Sequence, residues 1–114
     1  MIATIVGGLS DVFSMAAAQG IWPEDALALF AKFNPAGTVQ LRGARMAQGD
    51  FTPSFALTMA RKDVRLMLEA AGDLPLAVLP CVAARMDQRI AAGRGGDDLA
   101  VLAAEAIERS RRGG

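Results

Sequence analysis

Phe55-Ala56-Leu57-Thr58-Met59-Ala60-Arg61-Lys62-Asp63-Val64-Arg65-Leu66-Met67-Leu68-Glu69-Ala70-Ala71 is the stretch whose periodicity decides the fold. Its apolar residues recur at helical rather than alternating intervals. On a 3.6-residue wheel Thr58, Arg61, Lys62, Arg65 and Glu69 collect into a polar stripe, and Leu57, Ala60, Val64, Met67 and Leu68 form an apolar face opposite. Asp63 joins neither group. Its neighbours at helical spacing are Met59, Ala56, Leu66, Met67 and Ala70, so its carboxylate is costly to bury unless a cation, a donor or a ligand meets it. The pattern predicts a helix from about Ser54 to Ala71, entered through the turn Asp50-Phe51-Thr52-Pro53.

Towards the N-terminus the same periodicity recurs. Ile2, Ile5, Val6, Leu9, Val12, Phe13 and Ala16 space a helix from Ile2 to Gln19 that stops at Gly20. It shows no N-cap, and Gly7-Gly8 inside it cost about 2 kcal/mol of propensity, which calls for close helix packing there. Pro23, Glu24 and Asp25 open a further helix to about Phe33, which Asn34-Pro35-Ala36-Gly37 ends. Thr38 to Met46 is a shorter helix stopping near Gly49. Beyond the central stretch, Gly72-Asp73-Leu74-Pro75 is a break, and Leu76 to Ala92 is a helix in which Pro80 either lies in the first turn or bends the axis. Gly93-Arg94-Gly95-Gly96 connects to a last helix capped by Asp97 or Asp98 and ending near Arg111. Period-two alternation is absent, so the chain reads as all-α, about six helices with no sheet, in a single domain over residues 1–114.

Composition excludes several chemistries. The 114 residues contain no His and one Cys, which removes a Ser-His-Asp triad, a histidine-ligated metal, a histidine base, a thiolate cluster and an internal disulfide. Cys81, beside Pro80 in an apolar run, reads as a small core residue, and the chain fits a reducing, cytoplasmic setting. The formal net charge is zero, so no nucleic-acid partner is expected, the basic end Arg109-Ser110-Arg111-Arg112 being too short to make one. Met1 to Leu9 has no basic residue ahead of its apolar part and reads as structure rather than a leader. No run reaches the roughly 18 apolar residues of a membrane span, and Gly93-Arg94-Gly95-Gly96 follows a helix and lacks the Gly-Lys-Ser/Thr ending of a phosphate loop. No catalytic residue and no metal site is recognisable.

Phe55, then Lys62-Asp63, then Val64-Arg65-Leu66-Met67-Leu68-Glu69-Ala70-Ala71, then Pro75, Ala91-Ala92-Gly93 and Asp98 together resemble the C-terminal domain of the β-hydroxyacid dehydrogenases, the group of 3-hydroxyisobutyrate dehydrogenase and 6-phosphogluconate dehydrogenase. The run from Lys62 to Ala71 is the most specific part. The first helix followed by Ala18-Gln19-Gly20-Ile21 resembles the family's long interdomain helix, with Asp11 standing where an acid, usually Glu, is common. The resemblance implies an all-helical domain that closes the active-site cleft and builds a homodimer, while a Rossmann domain preceding it carries most of the contacts to NAD or NADP. It further implies that Lys62 reaches the cofactor near its nicotinamide end and that Phe55 and Asp63 line the substrate pocket. The family's catalytic Lys, in a Lys-x-x-x-Asn pattern, its dinucleotide loop and its Ser-Gly-Gly loop would fall before Met1. Two departures blur the substrate: the region of Met86 lacks the family's Tyr, and the segment between Ala71 and Pro75 is shorter than usual.

Two functional expectations follow. In the first the chain is one wall of an NAD(P)-dependent oxidoreductase acting on a small β-hydroxyacid or a related aldehyde or imine, is inactive alone, and dimerises through the apolar surface of Ile2, Ile5, Leu9, Val12 and Phe13. In the second it is a stand-alone helical dimerisation or protein-interaction module in which Lys62 and Asp63 are structural, Asp63 pairing for example with Arg45 or Arg85.

Overall fold

The computed structural model describes residues 1–113, and all its regular elements are helical. Six α-helices run α1 (Ile2–Ala18), α2 (Pro23–Leu27), α3 (Pro35–Gln48), α4 (Leu57–Ala71), α5 (Leu79–Arg89) and α6 (Ala104–Gly113). Among the described residues there is no strand, only an isolated bridge between Ala56 and Asp98. The chain divides into two compact units, one formed by Met1–Phe33 with Lys62–Ala84 and the other by Asn34–Arg61 with the chain from Arg85 on, each boundary after Phe33 falling inside a helix.

In the first unit α1 runs the length its periodicity predicts. It ends in a Schellman motif: Gly20 adopts φ +71°, the Gly20 N–H donates to the Ala17 carbonyl and the Ile21 N–H to the Ala16 carbonyl, at 3.1 and 2.8 Å. The paired glycines divide their roles. A Cβ on Gly7 would stand 2.8 Å from Val78 Cγ2, whereas one on Gly8 would meet nothing within 4 Å; the close packing expected of both belongs to Gly7 alone. Pro23 opens α2 at a first helical position with Glu24 and Asp25 in its first turn, yet the expected helix to Phe33 continues only as a 3-10 turn, Ala28–Ala31. None of those residues is fully buried, Ala26 and Phe30 being half-buried, so little packing holds the segment in α geometry.

The same unit corrects the reading of Cys81, which is exposed. Pro80 sits in the first turn of α5, where its missing N–H costs nothing, and the buried face of the helix falls on Ala83 and Met86, turned away from Cys81.

In the second unit the junction at Asn34 differs from expectation. Asn34 does not close the preceding helix but opens α3, its Oδ1 accepting the Ala36 N–H at 3.0 Å, with Pro35 at the first helical position. Helix α3 therefore gains a turn at its start, and its end at Gly49, φ +73°, is again a Schellman motif. Helix α4 begins at Leu57, not Ser54, because the Phe55 carbonyl, which a helix from Ser54 would use for its own Met59 N–H, accepts the Leu99 N–H instead, while the N–H groups of Ser54 and Phe55 go to the Asp98 carboxylate. Its own first donors are met by loop carbonyls, Leu57 N–H on Asp97 and Thr58 N–H on Gly95. Gly95 permits that approach, since a Cβ there would lie 2.7 Å from Thr58 Cγ2. After α5 a π turn, Ile90–Arg94, reverses through Gly93 at φ +85°, and Asp98 caps a 3-10 turn, Leu99–Ala103, that leads into α6.

Of the apolar face the wheel predicts on α4, Leu57, Ala60 and Val64 are buried, Leu68 is half-buried and Met67 is 39% exposed, while Ala71 is buried in addition. Among the described residues no helix is long and apolar enough to cross a membrane.

Candidate functional site

Lys62 and Asp63 occupy adjacent positions in the second turn of α4, one residue before the buried Val64. Both are exposed. This overturns the expectation of a carboxylate forced into an apolar surround, because the side chains at helical spacing around Asp63 are themselves open to solvent: Met59, Leu66 and Met67 are all exposed. Asp63 is thus a charge set into an exposed apolar strip, with no desolvation to offset. Within its own unit, among the described residues, neither Lys62 nor Asp63 enters a salt bridge. The other basic residue of the stretch behaves differently, Arg61 Nε donating to Asp87 Oδ1 at 2.8 Å. Lys62 therefore keeps all three ammonium donors available.

Phe55 belongs to the second unit and precedes α4 by two residues. Its ring is partly exposed, but its backbone is held from both sides: its N–H donates to Asp98 Oδ1 at 3.0 Å and its carbonyl accepts the Leu99 N–H at 2.8 Å. Lys62 and Asp63 belong to the first unit.

Two carboxylates that sequence reasoning did not place in a site carry most of the organisation. Asp98 is 3% exposed. Its Oδ1 accepts the Ser54 N–H, the Ser54 hydroxyl and the Phe55 N–H, and its Oδ2 accepts the Ala100 N–H and pairs with Arg42 Nη1. Burial works most strongly, and upward, on its ionisation, but the N–H groups of Ala100, Phe55 and Ser54 together with the Arg42 guanidinium hold its carboxyl far below the usual carboxylate range. Reading Asp98 as a cap was correct; its reach back to Ser54 and Phe55 was not visible, because a cap signature is local and that contact spans 43 residues.

Asp11 is 1% exposed in a helix with no other charged residue. It accepts the N–H groups of Ala77, Val78 and Leu79 at 2.6, 3.0 and 2.8 Å, and so caps α5, whose own flank, Ala77-Val78, has no side chain able to do it. Burial again raises its carboxyl and the three backbone donors more than reverse the effect, leaving it below its ordinary value. A lone acid on an uncharged amphipathic helix was the available signal.

No grouping of acids, Cys or His able to hold a metal ion is present among the described residues. The arrangement presents donors and apolar surface, not a nucleophile with a base. Residues 1–105 match the family model described as NAD-binding of NADP-dependent 3-hydroxyisobutyrate dehydrogenase. No curated protein matches the chain.

Proposed function

The chain belongs to the 3-hydroxyisobutyrate dehydrogenase-like family of β-hydroxyacid dehydrogenases, and on that premise we propose that it is the C-terminal helical domain of an NAD(P)-dependent oxidoreductase. Its substrate is a small β-hydroxyacid or a related aldehyde or imine. The observation that carries the reading is Lys62: an exposed ammonium with no ion-pair partner in its own unit among the described residues, on a helix of a chain whose family is described as NAD-binding. A donor in that state suits the ribose or carboxamide oxygens of a dinucleotide, and the exposed Met59, Leu66 and Met67 beside it suit contact with a covering surface.

The dinucleotide, when bound, supplies hydride transfer. This chain's residues bind and orient. Lys62 donates to the cofactor, Asp63 accepts from substrate donors, and the Phe55 ring shields the pocket from water. None of them is required to take a proton, and the chain alone does not turn over. The apolar surface of Ile2, Ile5, Leu9, Val12 and Phe13, of which Ile2 and Ile5 are exposed and the other three half-buried, forms part of a homodimer interface.

The test has two steps. The gene upstream of codon 1 is read for a Gly-x-Gly-x-x-Gly after a strand and for a Lys-x-x-x-Asn close to Met1; absence of both refutes the assignment. NADH and NADPH affinities of the polypeptide carrying that upstream half are then compared with those of its Lys62→Ala variant. A loss of about tenfold, the worth of one charge-assisted hydrogen bond, is expected; unchanged affinity removes Lys62 from the cofactor site.

A further inference from the structure

The second unit contains a cleft of about 490 Å³ lined by Asn34, Thr38, Leu41, Arg42, Arg45, Ser54 and the buried Asp98. Its chemistry is uneven. Two guanidiniums one turn apart on α3 face a lining that holds a single carboxylate, and like charges at that spacing repel. The carboxylate has no capacity left, since Asp98 already accepts from Ser54, Phe55, Ala100 and Arg42. Arg45 enters no ion pair among the described residues. Asp50 feels the Arg45 charge, but its carboxylate is held chiefly by Thr52 and lies outside the lining.

Arg42 is set in place from behind. One of its nitrogens is anchored on the buried Asp98, and its side chain is 27% exposed, so the rest of its fork is presented to the cleft in a pose that the backbone of Ser54, Phe55 and Ala100 fixes through Asp98. The Thr38 and Ser54 hydroxyls and the Asn34 amide add neutral polar groups, and Leu41 adds apolar contact. The volume lies within the ordinary range of small-molecule sites, roughly 300–1,000 Å³, which is more than a bare ion fills.

We propose that this cleft binds a small organic oxyanion, a hydroxylated carboxylate or phosphate monoester, with Arg45 and the free edge of Arg42 on the anionic group and Thr38, Ser54 and Asn34 on its hydroxyls. The ligand is of the same chemical class as the substrate proposed above, but other residues hold it, and the inference does not rest on Lys62, Asp63 or Phe55. Planar forked donors favour such groups because two parallel N–H···O bonds form at once.

The full chain is titrated with sodium gluconate and, separately, with glycerol 3-phosphate, at fixed ionic strength against chloride, and followed by nitrogen-proton NMR. Saturable shifts at the amides of Thr38, Leu41 and Ser54 and at the arginine Nε–H groups support the proposal, and the tighter probe identifies the head group. Arg45→Gln, at an exposed residue that enters no ion pair among the described residues, weakens binding about tenfold with a nearly unchanged melting temperature, and Arg45→Lys falls between. No saturable shift from either probe, shifts elsewhere, or equal affinity in Arg45→Gln overturns it.

Discussion

Replacing Asp11 by Asn removes a charge without changing the shape of the side chain, and the geometry determines what is lost. Oδ1 takes the Ala77 N–H, while Oδ2 takes those of Val78 and Leu79. An asparagine retains one acceptor oxygen and turns an NH₂ group towards the remaining donors. With that oxygen kept on Val78 and Leu79, the hydrogen bond from Ala77 goes, worth about 1.5–3 kcal/mol to a charged acceptor, and the two that remain lose their charge assistance, offset in part because a buried carboxylate no longer has to be desolvated. The net expectation is a loss of about 3 kcal/mol. With an unfolding entropy of about 2.1 cal/mol/K per residue, a chain of this size then melts about 12 °C lower. Thermal and urea unfolding by circular dichroism measure both quantities. The effect also has a pH signature. The folded carboxyl titrates below its ordinary value of 3.8, so its contribution is complete above the unfolded pKa and is lost as pH falls through the folded one. The difference in stability between the wild type and Asp11→Asn is therefore flat from neutral pH down to about pH 5 and shrinks below pH 4. A loss under about 1 kcal/mol at neutral pH, or a difference that grows in acid, refutes the assignment of Asp11 as the cap of α5.

The neighbouring glycines supply an opposed pair: Gly8→Ala, with open space around its new methyl, raises stability by about 0.5–1 kcal/mol, whereas Gly7→Ala drives a Cβ to 2.8 Å from Val78 Cγ2 and lowers it, both read by urea unfolding. Asp98→Asn leaves the Arg42 charge without its partner and costs about 3–5 kcal/mol, and NMR of the variant shows the Ser54 and Phe55 amides losing protection from exchange. Lys62→Ala leaves stability within about 0.5 kcal/mol in thermal unfolding, since its side chain is exposed and unpaired; a larger loss assigns Lys62 a structural role.

The helices and most of their ends were legible because the signals that make them are local. Apolar spacing placed α1 and the buried face of α4, Gly20 and Gly49 stopped their helices through positive φ, and Pro23 opened α2. The misreadings arose where one local signal has two uses. Asn-Pro can terminate a helix or start one, and which of the two operates depends on whether Asn34 Oδ1 finds the Ala36 N–H. Burial was the harder quantity. The wheel around Asp63 showed apolar neighbours, but apolar identity does not determine exposure, and Met59, Leu66 and Met67 remain open. That Lys62 and Asp63 adjoin is visible in one dimension; that both are exposed is a fact of three.

By itself, the amino-acid sequence determined the class of the fold, the number of helices, the chemistries that a chain without His and with one Cys does not have, and the family. Those depend on composition and on intervals of a few residues, which the chain carries wherever it goes. Tertiary structure alone decided which acids are buried and what they do. Asp11 meets α5 across 66 residues and Asp98 meets Phe55 across 43, because a helix start without a capping residue of its own must take its acceptor from whatever the fold brings alongside, and no interval along the chain encodes that meeting.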